Sequence, residues 1–336
     1  MSGHDTPATE SVSHAALEAA AEWFALLRSA PADSDLRAQW QQWLEDDNAH
    51  REAWHYVEAV GRRFQALQGT TGPHTTASTL DRVRGRRVSR RQALGSLAGL
   101  IGTGMVAWAS WRHTPLPGLV ANWQADYRSA VGEIRQVRLD DGSRLWLNTA
   151  SAVNTAFSPS LRRLRLVTGE ILVETAGDPG RPFMVDTDHG SLRALGTRFT
   201  VRGNQDATQL VVFEGAVAIR PDGTAGETVV HAGEQARFNR DGLLSRGTAD
   251  ATHDAWSRGV ILARDTPLDE LVAELARYQR GHLGVDPDVA GLRVVGGYPA
   301  QDTERSLAML ADVLPITIHR PLPWWTTIKA ANDSPP

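Results

Sequence analysis

The sequence predicts a multidomain chain: a small all-α bundle, one transmembrane helix, an all-β domain and a C-terminal α+β module. Three observations lead to this fold class. Apolar residues recur with the helical period of about 3.6 residues over residues 14–67. Residues 93–111 carry no charge. From residue 122 to 247 the period falls to about two residues, as in strands, before helical spacing returns within residues 257–329.

The composition excludes several classes of function. The 336 residues include no cysteine, so disulfides, iron–sulfur clusters, thiolate zinc sites and cysteine nucleophiles are ruled out. A net charge of -4 argues against direct nucleic-acid binding by the whole molecule. No zinc-protease motif, serine nucleophile elbow or phosphate loop occurs in the sequence. We therefore expect a protein that is not an enzyme, with no catalytic, cofactor or metal residues.

Residues 14–67 predict three amphipathic helices, the second starting near Ser34 and the third near Asn48. Four tryptophans lie in this segment: Trp23, Trp40, Trp43 and Trp54. Tryptophans can fill the core of a bundle too small to be stable without them, and core filling is expected above all of Trp23 and Trp54. They are also preferred anchors of protein interfaces. Trp40, Trp43 and Trp54 are the candidate contacts for a partner.

Residues 93–111 are close in number to the roughly 20 that a helix needs to cross a bilayer. The linker and basic flank, residues 68–92, carry Arg86, Arg87, Arg90 and Arg91, while only Arg112 follows the span closely. Positive charge beside a span stays in the cytoplasm. This pattern predicts a single-pass inner-membrane protein with a cytoplasmic N-terminus and a periplasmic C-terminus. A buried soluble helix is the weaker alternative, because the stretch has no polar face.

The start of the span permits two interpretations. Ser89-Arg90-Arg91 followed by Gln92-Ala93-Leu94 resembles a twin-arginine export signal, which would suit a weakly apolar span. The same residues also fit a helix capping box, with Ser89 and Gln92 as its two members. The sequence leaves both interpretations open.

Residues 122–247 predict an all-β domain of many short strands. Asp141-Gly142 reads as a hairpin turn, and turns are expected at Gly169, Gly190 and Gly215. The turn at Gly169 separates two predicted strands, 164–167 and 171–174. Asp186, Asp188 and His189 could be drawn as a metal cluster. An ordinary turn between two strands is the expected structure there.

Residues 257–329 predict two successive β-α-β units. In the first, Thr266 is expected to cap a helix and Pro267 to occupy its first position. In the second, Asp302 is the expected cap. A last strand is expected near 325–328. The open edge of such a sheet could accept a strand from a partner, or could simply be protected.

Over residues 14–329 the chain resembles FecR-type transmembrane regulators, the anti-sigma factors of cell-surface signalling. The helical segment carries part of the resemblance, through Trp23, Trp43-Leu44, Asp46, His50 and Ala53-Trp54. The C-terminal β-α-β pair is similar to the secretin and TonB N-terminus type of module. The β segment holds the most specific motif residues: Asp141, Gly142, Gly169, Glu170, Arg181, Pro182, Phe183, Leu195, Gly196, Thr197, Phe199 and Gly215.

The resemblance implies a relay across two membranes. A TonB-dependent outer-membrane siderophore transducer would contact the C-terminal module through its own periplasmic signalling domain. The cytoplasmic helices would bind an extracytoplasmic-function (ECF) sigma factor, and site proteases would release them stepwise. An alternative is a membrane-anchored periplasmic scaffold that has no sigma partner.

Overall fold

The computed structural model describes residues 13–29, 34–68 and 125–331. The chain divides into two compact units, Gly72–Ser257 and a second unit formed by Met1–Thr71 with Arg258–Pro336. Within the described residues, no helix has both the length and the apolar character required to cross a bilayer. The predicted span, residues 93–111, and its flanking Arg86, Arg87, Arg90 and Arg91 lie outside the described residues.

The N-terminal segment forms the small helical region that its periodicity predicts. Its helices are α1 (His14–Ser29), α2 (Ser34–Asp46) and α3 (Asn48–Gln68). Only Asp47 separates α2 from α3, and its carboxylate accepts a hydrogen bond from the Ala49 backbone N–H at 3.0 Å. A short polar side chain before a helix satisfies donors that the first turn leaves unpaired. This contact fixes the start of α3 where the sequence placed it.

The β-rich unit contains thirteen strands among its described residues. They are β1 (Tyr127–Arg128), β2 (Arg135–Arg138), β3 (Arg144–Leu147), β4 (Ala152–Phe157), β5 (Arg162–Glu174), β6 (Phe183–Asp186), β7 (Gly190–Ala194), β8 (Arg198–Gly203), β9 (Thr208–Glu214), β10 (Ala216–Pro221), β11 (Thr228–His231), β12 (Glu234–Asn239) and β13 (Gly242–Thr248). This large β-rich region after the helices agrees with the predicted fold class.

Strand β5 joins the two halves of the sheet. Its first half pairs with β4 and, in parallel, with β6. Its second half pairs with β3 and β8, both antiparallel. One core fills the space between the halves, with Leu164 from the first half of β5 and Ile171 from the second both fully buried. Burial of apolar side chains from both halves on one core is the architecture of a β-sandwich.

The prediction of a turn at Gly169 is wrong. β5 runs without interruption from Arg162 to Glu174 and passes through Gly169, whose φ is +87°. A Cβ at this position would lie 2.3 Å from Ser151 Oγ and 2.6 Å from Ser151 Cα. Glycine is needed because the backbone bends through a left-handed conformation while another strand end approaches it closely. The sequence pattern could not distinguish such a bend from a turn.

The hairpin at Asp141-Gly142 is confirmed. β2 and β3 are antiparallel, with Val137 opposite Leu145, and Gly142 has a φ of +86° between them. The Gly142 N–H donates to the Leu139 carbonyl at 2.9 Å. The turn at Gly190 is confirmed as well, since β6 and β7 pair directly across it.

The C-terminal module belongs to the second unit. Its elements are β14 (Val260–Pro267), α4 (Leu268–Ala276), β15 (His282–Val285), α5 (Pro287–Ala290), β16 (Arg293–Pro299), α6 (Thr303–Val313), β17 (Ile316–Leu322) and β18 (Trp325–Ala330). β14 pairs with β16, while β18 lies between β15 and β17. The first strands of the two β-α units therefore pair with each other, and the following strands form a separate sheet with β18.

The two predicted helix caps of this module have different outcomes. Asp302 caps α6 as expected, accepting a hydrogen bond from the Arg305 N–H at 3.0 Å. Thr266 does not cap α4: it is the penultimate residue of β14, and its hydroxyl accepts from the Arg264 N–H at 3.1 Å. Pro267 takes the cap position, with no side-chain cap bond. β14 has a bulge between Arg264 and Thr266, and the hydrogen bond across this bulge engages the Thr266 hydroxyl. The hydroxyl is therefore not available to cap α4.

The N-terminal helices and the C-terminal module share one apolar core. Ala20 of α1 and Val57 of α3 are fully buried in a cluster that also contains Leu322, Trp324 and Trp325. A bilayer cannot lie between two segments that share a core. The sequence predicts that a membrane separates residues 14–67 from residues 257–329. The protein cannot have this separation and the shared core at the same time.

Candidate functional site

The helical region carries a row of aromatic rings in contact. Trp40 of α2 lies 4.9 Å from Trp54 of α3 between ring centroids, and Trp54 lies 5.8 Å from Phe24 of α1. Both tryptophans are only half-buried. The Trp40 Nε1–H is shielded from solvent and has no hydrogen-bond partner among the described residues. Two of the three candidate contact residues thus lie side by side, as packed and still accessible rings.

Trp43, the third candidate, sits in a separate group. Its ring stacks on His50 at 4.4 Å and lies 6.4 Å from Trp23. His50 Nδ1 is also 2.7 Å from the Trp43 carbonyl oxygen, which ties α3 to the end of α2. Trp43 therefore fixes the angle between two helices while leaving part of its ring exposed.

The row of rings continues into the C-terminal module. Trp324, which is 4% exposed, meets Phe24 edge-to-face at 5.5 Å and 79°. A Cβ at Gly61 of α3 would stand 3.2 Å from Trp324 Cζ2 and 3.1 Å from Phe24 Cζ. Phe24, Trp54 and Gly61 are called the aromatic socket below, because glycine leaves the space that the ring of Trp324 enters.

Trp325 and His282 extend this contact. Their rings stack at 3.8 Å, and Tyr56 of α3 meets both edge-on, at 6.2 and 6.1 Å. Burial lowers the pKa of His282 to about 4, with a smaller contribution from the nearby His14. An imidazole in this position is neutral at pH 7, which suits a ring that stacks on an indole.

Charged groups surround the same interface. Lys329 of β18 pairs with Glu18 of α1, and His319 Nε2 of β17 lies 3.9 Å from a carboxylate oxygen of Glu22. Glu18, Glu22 and His319 bring ligand atoms within 4.8 Å of one another, as a metal site would require. The ammonium group of Lys329 already pairs with the Glu18 carboxylate, and these groups connect α1 to β17 and β18.

Several motif residues of the β unit surround one buried arginine. Arg162 is 4% exposed and pairs with Asp141 at 3.0 Å. It also donates to the carbonyl oxygens of Ala176 at 2.9 Å and Arg181 at 2.8 Å, while its backbone N–H donates to the Pro182 carbonyl at 3.0 Å. The guanidinium lies 5.3 Å from the ring centroid of Phe183. Asp141, Arg181, Pro182 and Phe183 therefore hold a loop in place rather than form a reactive site.

Arg181 contributes its side chain to the same loop. It pairs with Asp178 at 2.7 Å, and this hydrogen bond lowers the pKa of the Asp178 carboxyl below its usual value. The motif residue Glu170 is also buried, at 1% exposed, and accepts a hydrogen bond from Asn148 Nδ2 at 2.9 Å.

The remaining motif residues lie where β8 begins. Gly196 and Gly215 have φ values of +80° and +76°, and a Cβ at Gly215 would lie 2.3 Å from the Gly196 carbonyl oxygen. Leu195 is 50% exposed, whereas Phe199 is fully buried in the core. Thr197 Oγ1 is shielded from solvent and has no hydrogen-bond partner among the described residues. The glycines are required because two turns of backbone touch here.

The suggested metal cluster at 186–189 is a turn, as expected. Asp186 pairs with Arg163 at 3.4 Å and Asp188 with Arg165 at 3.0 Å. His189 is buried with its Nδ1 3.1 Å from Thr208 Oγ1. The three side chains point to different partners, so they do not converge on an ion.

Sequence reasoning missed the aromatic socket and its occupant. Gly61 lies within the third predicted helix, and no pattern in the sequence singles out Trp324. One signal was available, since glycine inside a helix costs about 1 kcal/mol relative to alanine and usually has a packing reason.

These features describe a chain with a β-sandwich domain, a small helical region and an α+β module, in which aromatic contacts join the helical region to the α+β module. Residues 125–218 match the family model described as FecR protein, so the β unit contains a FecR domain. Residues 18–60 match the model of a domain of unknown function, DUF4880. The recognised resemblance to the FecR family is confirmed.

Solved structures give the same picture of the fold. Two crystal structures of a putative anti-sigma factor from Parabacteroides distasonis ATCC 8503, at 1.65 and 2.50 Å, each match with a TM-score of 0.50. They are 22% and 23% identical to this chain, cover 60% and 61% of it, and are matched over 97% of their own length. No curated protein matches the sequence. At this identity, the likeness shows the fold alone.

Proposed function

We propose that this protein is a single-pass inner-membrane anti-sigma regulator. Its helices bind an ECF sigma factor in the cytoplasm, and its C-terminal module receives a signal from a TonB-dependent outer-membrane transducer loaded with an iron siderophore. One observation carries the proposal: the DUF4880 match at 18–60 and the FecR match at 125–218 occur in one chain, in the order in which a regulator of this kind would need them. The fold neighbours described as anti-sigma factors support it.

The helical region has the surface that such binding needs. Trp40 and Trp43 keep part of their rings exposed although each packs against other rings. Rigid, half-buried aromatic side chains lose little conformational freedom on binding and bury much apolar area, and they dominate many interfaces. We assign the sigma factor to this face of α2 and α3.

The C-terminal module has apolar side chains that its own core does not use. Val295 of β16 is 75% exposed and Val313 of α6 is 70% exposed. The sheets of the module also end in strands with open edges. An open edge with apolar neighbours favours the addition of a strand from a partner. This surface is the proposed contact for the periplasmic signalling domain of the transducer.

The core that the N-terminal helices share with the C-terminal module can exist at only one stage of the proposed pathway. The contact of Trp324 and Trp325 with α1 and α3 can form only while both ends of the chain lie on the same side of the membrane. The proposal therefore places this contact before the C-terminal part is exported. After export, a signal reaches the sigma factor only through a changed affinity of the helices or through proteolytic release.

Sigma binding is tested by co-producing the tagged full-length chain with each ECF sigma factor of the source organism. One of them should co-purify in a defined ratio, and Trp40→Ala should weaken that complex at least tenfold. Trp146→Ala, which removes a half-buried tryptophan from the β unit, is the matched control and should leave binding unchanged. Failure of every sigma factor to bind would remove the proposed function and leave the scaffold alternative.

Topology has an independent test, because the chain has no cysteine and accepts single cysteine probes. Glu45→Cys and Ser158→Cys both place the thiol at an exposed position. In intact spheroplasts, a membrane-impermeant maleimide should label the probe at position 158 and reach position 45 only after permeabilisation. Equal labelling of both positions before permeabilisation would contradict the single-pass arrangement.

A further inference from the structure

The aromatic socket is the feature of the helical region that its own core does not explain. Gly61 lies in the interior of α3, where glycine is unfavourable for the helix. Its missing side chain leaves space in front of Phe24, and the nearest atoms to that space belong to two aromatic rings. Glycine at position 61 makes α3 less stable, but it leaves room between α3 and Phe24 of α1 for a bulky group from another part of the structure or from a partner.

The occupant of the socket in this structure shows which group fits. Trp324 enters it from the C-terminal module and meets Phe24 edge-to-face, a favoured geometry for aromatic pairs. The ring is almost completely shielded, being 4% exposed. The socket thus accommodates a whole indole, and its contact with Phe24 favours an aromatic over an aliphatic side chain.

Carboxylates on the helix that carries Phe24 add a second requirement. Glu18 and Glu22 lie on α1, as Phe24 does, and the groups that face them from the C-terminal module are Lys329 and His319. A segment that replaced the C-terminal module would meet the same two carboxylates. It would therefore carry basic side chains near its aromatic residue.

We infer that the aromatic socket, Phe24, Trp54 and Gly61, is the docking point of the sigma factor, which inserts an aromatic side chain flanked by basic residues where Trp324 sits in this structure. The inference rests on the proposed function and deepens it. When the two ends of the chain lie on opposite sides of the membrane, Trp324 cannot fill the socket. The apolar side chains of the socket are then free to contact a ring of the sigma factor. When they lie on the same side, Trp324 competes with the sigma factor.

The test measures the affinity of the detergent-solubilised full-length protein for the sigma factor identified by co-purification. Gly61→Leu fills the socket and should weaken binding at least tenfold. Gly177→Leu is the matched control, because no atom lies within 4 Å of a Cβ at that position. Trp324→Ala removes the internal competitor while every residue of α1, α2 and α3 stays as in the wild type, and it should tighten binding at least threefold.

The outcomes separate the two claims. Unchanged binding by Gly61→Leu, with the helical circular dichroism of the wild type, would overturn the inference while leaving the proposed function in place. If Gly61→Leu fails to fold, Trp324→Ala decides: unchanged or weaker binding overturns the inference and tighter binding supports it. Absence of any sigma complex with the wild-type chain would remove both.

Discussion

The two units of this protein obtain their cores in different ways. The β-rich unit, called the FecR unit below after the FecR match within it, fills its core from one continuous stretch of the chain, Leu139 to Phe238. The other unit has one core within its C-terminal module and a second cluster from both ends of the chain, in which Trp324 and Trp325 pack with residues of α1 and α3. Three short helices bury little apolar surface by themselves. The helical region therefore depends on apolar side chains from the C-terminal module to complete its core.

The largest expected effect lies in the FecR unit. Arg162→Met leaves Asp141, whose side chain is 1% exposed, without its ion-pair partner. Removal of one member of a buried pair costs about 3–5 kcal/mol. Thermal unfolding followed by circular dichroism should show the loss in the transition of this unit alone. Arg163→Met is the control, because Arg163 is 46% exposed and pairs with Asp186 more loosely at 3.4 Å. A similar loss in both variants would contradict the assigned role of Arg162.

Trp324→Ala should give the complementary result. Truncation of a buried tryptophan costs about 3 kcal/mol or more, and here it removes the ring that joins the helices to the C-terminal module. Hydrogen exchange should become faster in α1, α3 and β18 but stay unchanged in the FecR unit. Retained protection of α3 would show that the helices do not depend on this contact.

Acid should weaken the second unit by a smaller amount. The pKa of His282 is about 4 in the folded protein and 6.5 for the unperturbed group. Because the folded pKa is the lower one, this contribution to stability is present above pH 6.5 and is lost as pH falls toward 4. With allowance for partial exposure the loss is about 2 kcal/mol. Denaturant unfolding at pH 7 and pH 4 should show it, and His282→Phe should reduce the pH dependence. An identical pH dependence in the variant would contradict it.

The smallest expected effect comes from a surface ion pair. Arg193 and Glu227 are 3.1 Å apart, with side chains 45% and 42% exposed. Such pairs contribute less than about 1 kcal/mol. Arg193→Ala should leave both unfolding transitions within that limit. A larger shift would mean that this edge of the FecR unit is coupled to more than its ion pair.

Local signals in the sequence predicted most elements correctly. The helical spacing, the Asp141-Gly142 hairpin and the Asp302 cap each depend on residues close together in the chain, and the structure has all three. Gly169 and Thr266 were misread because their roles depend on other strands: Ser151 approaches Gly169, and a bulge in β14 uses Thr266. The period of apolar residues along a strand does not show which distant segment will pack against a bend in its backbone.

The candidate site was predictable in part. The tryptophans of α2 and α3 stood out by composition, and Trp40 and Trp54 do lie together. No pattern in the sequence connects Phe24 and Gly61 with a tryptophan more than 250 residues later in the chain. Such a contact follows from docking of whole elements, which no local pattern records.

Four features follow from the amino-acid sequence alone: the order of parts, the helical and strand periods, the absence of thiol chemistry and the resemblance to the FecR family. Each of these depends on neighbouring residues or on composition. Three others are visible only in the folded chain: Arg162 anchors the family motif, β5 continues through Gly169, and Trp324 fills the aromatic socket. These three depend on burial and on close approach between distant segments, which exist only once the chain has folded.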